Sequence, residues 1–154
     1  VSTVAVGIDG SAGSLAALRW ALAEARLRGS AVRVVHAWQL PYHQGYIGHL
    51  ALEGLRGPLD EAAHQTLDAA LADETIDTTG VDITPIVEEG APARVLIEAA
   101  ADAELLVVGS RGFGGFRGLL LGSVSQQCAQ GATCPVVIVR PTRPGNESAG
   151  EDDR

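Results

Sequence analysis

Apolar and polar positions along this chain switch repeatedly between two periods. Residues 3–8 (TVAVGI) form a short apolar run with β-branched members, the pattern of a buried strand. Asp9-Gly10-Ser11 breaks it, and a helix follows from Ser11 or Ser14, either of which can cap it. Leu15, Leu18, Leu22 and Ala25 recur at helical spacing until Gly29 supplies a stop; Trp20 lies off that stripe. Residues 31–37 (AVRVVHA) predict a second strand. Residues 38–57 show no clean period and read as a long connection. A second helix is predicted over about 58–75, with Leu59, Ala63, Leu67, Ala70 and Leu71 inward and Asp60, Glu61, Asp68, Asp73, Glu74 and Asp77 on its solvated side. Residues 81–87 predict a third strand, and Pro85 favours a sheet edge for it. Pro92 suits the first turn of a third helix carrying Val95, Leu96 and Ala99. Residues 105–108, 123–131 and 135–139 complete the series as strand, helix and strand. No internal repeat is visible.

This alternation predicts an α/β fold, a five-stranded parallel sheet with helices on both faces. With strand order 3-2-1-4-5, strands 1 and 4 are neighbours at the point where the winding reverses. Ligands bind beyond the strand ends at such a point. Asp9 ends strand 1 and Gly109 ends strand 4, so both face one crevice. Residues 1–141 are expected to form a single domain, and the Pro-, Gly- and acid-rich tail 142–154 to be disordered.

The segment between strand 4 and the last helix carries the strongest chemical signal. Six of the fourteen positions from 109 to 122 are glycine, and Gly109, Gly112 and Gly122-Ser123 fall in the spacing G-x2-G-x9-G-S. Glycine lets main-chain amides approach an anion closely. The helix N-terminus that follows adds unpaired N–H groups and the positive end of the dipole. The combination reads as a phosphate cradle.

Charge narrows the ligand. The net charge is −8, which disfavours nucleic acid. Yet there is no Asp or Glu between Glu104 and Glu147, while Arg111, Arg117, Arg140 and Arg143 fall there. A locally positive loop on an acidic protein suits a small anion. Lysine is absent, which excludes a Walker-type phosphate loop and Schiff-base chemistry. Cys128 and Cys134, without a CxxC or a Cys/His cluster, read as buried and reduced. No apolar run is long enough to cross a membrane, and the opening lacks a signal-peptide pattern. A cytoplasmic location is expected.

From Val4 to Arg140 the chain resembles the universal stress protein family in its ATP-binding branch. The resemblance lies in VGIDGS at strand 1, VVHA at strand 2, VEEGAPA before the third helix, VVGSRG at strand 4, GSVS opening the last helix and CPVVIVR at strand 5. It implies a nucleotide-binding stress or signalling module with roles for particular residues. Asp9 would hold the adenine edge or a ribose hydroxyl, and Ala37 would contact adenine through its main chain. Gly109 would lie against the ribose. Gly112, Gly122, Ser123, Val124 and Ser125 would surround the phosphates, with Arg111 able to add a charge-assisted bond. Mg²⁺ or Mn²⁺ would be held through the phosphates. The resemblance also implies a homodimer that covers the apolar edge strand from Pro135 to Arg140, and an unidentified protein partner.

Plainer roles compete at several positions. Asp9 can simply cap the turn at Ser11, and His36 reads as a packed, hydrogen-bonded histidine. His43 and His49 lack a third ligand and read as solvated. Tyr42 and Tyr46 are either a lid or loop packing, and Trp38 is a neighbour of the adenine position. No general base stands beside the cradle, so robust catalysis is not expected. Slow ATP hydrolysis or self-phosphorylation on Ser123 or Ser125, binding of cyclic AMP, and a ligand-free interaction module are the alternatives.

Overall fold

A computed structural model describes residues 1–41, 46–113 and 120–141, with backbone alone for 46 and 47. Tyr42, His43, Arg117, Arg143 and the tail 142–154 lie outside the described residues, as does the side chain of Tyr46. The elements run β1 (Thr3–Gly7), α1 (Ala12–Arg28), β2 (Ala31–Trp38), α2 (Tyr46–Glu53), α3 (Arg56–Ala72), β3 (Ile83–Glu89), α4 (Pro92–Ala99), β4 (Leu105–Gly109), α5 (Ser123–Gly131) and β5 (Val136–Val139). The five strands form one parallel sheet in the order β3-β2-β1-β4-β5.

Alternation along the central strands builds two cores. Val4, Val6, Val32, Val34 and Val107 meet Leu18 and Leu22 of α1 and Leu67 of α3 on one face. Ala5, Val35, Leu106 and Val108 meet Val95 and Leu96 of α4 and Cys128 of α5 on the other. Strands buried on both sides read as continuous apolar runs, which is why β1 and β4 lack a period of two.

Local signals set the ends of α1. The Ser11 hydroxyl oxygen accepts the Ser14 N–H at 3.2 Å, and Gly29 closes the helix in the left-handed region at φ 67°. Pro85 does sit on an edge strand, since β3 pairs only with β2.

The connection expected over residues 38–57 contains a helix, α2. Its eight-residue sequence YIGHLALE is too short to establish a period, and no Ser, Thr, Asp or Asn stands just before it to mark a start. Helix α3 begins before Pro58 because a proline in the first turn lacks only an N–H that has no intrahelical acceptor anyway. It ends at Ala72, where the Asp73 carboxylate accepts the Thr75 N–H and hydroxyl and diverts the chain into a turn. Strand β3 runs on through Glu88 and Glu89, two residues past expectation. Its ladder follows the full length of β2, from Val32 opposite Ile83 to Trp38 opposite Glu89.

Candidate functional site

The carboxyl ends of β1, β2 and β4 and the N-terminal ends of α4 and α5 enclose a cleft of about 460 Å³. Small-molecule sites span about 300–1,000 Å³. All nine residues named from sequence for ligand contact line it: Asp9, Ala37, Gly109, Arg111, Gly112, Gly122, Ser123, Val124 and Ser125.

The floor begins at β1. The Ile8 N–H donates to Val35 O at 2.9 Å, and His36 Nδ1 lies 2.8 Å from Ile8 O. A carbonyl only accepts, so that ring nitrogen carries the proton. His36 is thus the hydrogen-bonded residue expected, tying β2 to the end of β1. Gly10, at φ 85°, then turns the chain into α1.

Asp9 caps the turn at Ser11 and also borders the cleft. Oδ1 accepts the Ser11 N–H at 2.9 Å, while the Asp9 N–H donates to Ser14 Oγ at 3.2 Å. Oδ2 is turned to the glycine loop, where a Cβ on Gly112 would stand only 2.4 Å from it. One carboxylate oxygen holds the turn and the other borders the cleft.

The glycines answer to different constraints. A Cβ on Gly109 would lie 2.9 Å from Gly13 O, and one on Gly13 would lie 2.9 Å from Arg111 O. The first turn of α1 therefore already forbids a side chain at Gly109, before any ligand contact is considered. Gly122 has φ −73°, so no left-handed conformation requires glycine there, and its Cβ position is 3.4 Å from the nearest atoms. It is the N-cap of α5.

That helix end supplies the donors. Gly122 N–H donates to Ser110 O at 2.6 Å, and the first bond of α5 runs from Gln126 N–H to Gly122 O. The N–H groups of Ser123, Val124 and Ser125 precede that bond and lack an intrahelical acceptor. Ser123 is exposed. Ser125 is 2% exposed, and its hydroxyl donates to Ser110 O and Gly122 O at 3.0 and 2.9 Å. Its single proton is held by the protein's own carbonyls, so what Ser125 offers the cleft is its N–H.

The other end of the cleft is apolar, walled by Val35, Ala37, Pro92, Leu96 and Val108. Leu96 reaches that position only because residue 7 is glycine, since a Cβ there would stand 2.7 Å from Leu96 Cδ1. Of these walls sequence reasoning named Ala37 and missed Val35, Pro92, Leu96 and Val108. The apolar pair Val34-Val35 in β2 and Pro92 just after strand 3 were the available signals. It also missed Phe113, 74% exposed at the mouth, which borders a smaller cavity of about 360 Å³ between α1 and α3. Trp38 stands away from the cleft, donating from Nε1 to Asp60 Oδ1 at 3.1 Å. His49 lies 3.9 Å from Glu53.

Among the described residues no three His, Cys, Asp or Glu side chains converge as a metal site, and no helix is long and apolar enough to cross a membrane. Behind α5, burial pushes the Cys128 thiol up to about 11 and keeps it neutral.

The chain spans about half the length of the curated relatives it matches. A universal stress protein of Mycolicibacterium smegmatis is 41% identical over 142 residues, covering 90% of this chain and 45% of that protein. One of Mycobacterium tuberculosis is 37% identical over 138 residues, covering 89% and 44%. Among solved structures, the universal stress protein UspA from Lactobacillus plantarum superposes with a TM-score of 0.73 at 17% identity, over 90% of this chain and 97% of that one. A universal stress protein solved in complex with cAMP has a TM-score of 0.58 at 30% identity, over 92% and 98%. The model of the universal stress protein family matches residues 1–140, and with that coverage this chain belongs to the universal stress protein family.

Proposed function

We propose that this protein binds an adenine nucleotide, ATP foremost, in the cleft at the junction of β1 and β4, and acts as a nucleotide-dependent stress or signalling module in the cytoplasm. One observation carries the reading. Nine residues chosen for adenosine and phosphate contact line a single cleft with an apolar end and a hydrogen-bond-donating end. The base would lie between β2 and α4, near the main chain of Ala37. The free oxygen of Asp9 would accept from the sugar. The first amides of α5, the Ser123 hydroxyl and Arg111 would receive the phosphates. Mg²⁺ or Mn²⁺ would travel with the phosphates. Relatives of the fold support the ligand class, one solved with cAMP and one from Archaeoglobus fulgidus with dAMP.

Binding without robust turnover is the reading we favour, with the titratable groups that line the cleft among the described residues otherwise engaged: Asp9 is assigned to the sugar and His36 is bonded through Nδ1 to Ile8 O. Slow hydrolysis is the alternative, with Ser123 the better phosphoacceptor since Ser125 is buried. Titration calorimetry with ATP, AMP and cyclic AMP tests the proposal. ATP should bind most tightly, and Asp9→Ala should weaken all three. Tighter binding of cyclic AMP would transfer the reading to that nucleotide, and no binding of any would end it. The edge strand β5, half-buried along its length, supports pairing with a second copy.

A further inference from the structure

We infer that Arg140, one strand beyond the cleft, holds the outermost phosphate of the bound nucleotide and so makes the site favour a triphosphate over a monophosphate. This rests on the nucleotide reading above.

The cleft opens on the α4/α5 face of the sheet, because Val35, Ala37, Leu96, Val108 and Val124 all belong to the core on that side. Strand β5 alternates between the same two faces. Val137 and Val139 join the α1 side, and Val136 and Ile138 the α5 side. Arg140 is next in the alternation. Pro141 follows it, which keeps Arg140 extended, so its exposed side chain leaves the sheet on the α5 side.

Two main-chain bonds connect this strand end to the donors. Ser110 N–H donates to Val139 O at 3.0 Å, and Gly122 N–H to Ser110 O at 2.6 Å. Across the sheet the apolar wall lies at β2, the helix donors stand beyond β4, and β5 is the next column. Neighbouring strands are about 4.8 Å apart, within the reach of an arginine side chain. A nucleotide with its base at the apolar end has its first phosphate near β4. Only later phosphates approach β5.

Charge supports the same direction. Arg26, Arg28, Arg33, Arg56 and Arg94 each pair with a carboxylate. Among the described residues Arg19, Arg111 and Arg140 form no such pair, and Arg19 donates instead to the Thr75 hydroxyl, far from the cleft. Arg111 lines the cleft beside the positive end of α5, and Arg111 and Arg140 both lie in a stretch of chain that holds no acid from 105 to 146. The counter-charge for this corner is the ligand's.

The test is calorimetric titration of the chain and of Arg140→Gln with ATP, ADP and AMP at two salt concentrations, with a thermal scan as the folding control. Arg140→Gln should weaken ATP about five- to tenfold, as for a partly exposed charge-assisted bond, and leave AMP within roughly twofold. The salt dependence of ATP binding should fall with it, and Arg140→Lys should recover part of the affinity. Equal losses for ATP and AMP, or an unchanged ATP affinity, would overturn the assignment alone. A parent chain that binds none of the three would remove the nucleotide reading itself.

Discussion

Replacing Gly109 by alanine tests what this glycine does for the fold. Its backbone is not in the left-handed region, so the new methyl adds no conformational strain. It does add a collision. The Cβ would stand 2.9 Å from Gly13 O and 3.0 Å from Gly13 C, and both are main-chain atoms that no rotamer change can move. The first turn of α1 must withdraw from β4, loosening a well-packed contact at a cost of about 1–3 kcal/mol. For a chain of this size the melting midpoint should fall by about 2–4 °C for each kcal/mol. Gly112→Ala makes the contrast. Its Cβ would meet Asp9 Oδ2 at 2.4 Å, the end of a side chain that can swing aside. The carboxylate then gives up its bond to the Ser11 N–H, a loss of about 1–2 kcal/mol at most for an exchange with water. Urea denaturation of both variants, paired with ATP titration, should show Gly109→Ala less stable than Gly112→Ala. ATP affinity should drop in Gly112→Ala beyond anything its stability explains. Gly13→Ala strains the same contact from the other side, so its combination with Gly109→Ala should be less than additive. A Gly109→Ala variant as stable as the parent would refute the close crossing of α1 and β4 on which this reasoning stands.

The two serines of α5 should divide in the same way. Ser125→Ala removes a buried hydroxyl's bonds to Ser110 O and Gly122 O, which keep their main-chain donors Gly122 N–H and Gln126 N–H, and should lower stability by about 1 kcal/mol, whereas Ser123→Ala should weaken ATP binding with no measurable change in denaturation. Reversal of that pattern would place the phosphates elsewhere. Because burial holds the Cys128 thiol neutral, with a pKa of about 11, iodoacetamide at pH 8 should label Cys134 and spare Cys128 in the native protein. Mass mapping of the labelled peptides checks it, and equal labelling would contradict the packing of α5.

Local pattern and tertiary arrangement contributed different parts of this molecule. The apolar runs of β1, β2 and β4, the Ser11 cap, the Gly29 stop and Pro85 on an edge strand were all legible from sequence. In each case the deciding physics acts within a few residues. The gathering of Asp9, Gly109 and Ser123 was also legible, because a parallel α/β sheet puts every strand's carboxyl end on one side. Helix α2 was not, since its eight residues are too few to set a period and no Ser, Thr, Asp or Asn marks its start. The end of β3 was not, because its length follows the ladder of β2 and not its own hydrophobicity. The reason for Gly109, the occupied hydroxyl of Ser125 and the wall made by Leu96 depend on residues far away in the chain meeting within a few ångströms. Sequence alone determined the alternation of elements and the donors available to an anion. Only the packed structure decided which of those donors remain free, because a polar group's capacity is known once its own neighbours have been counted.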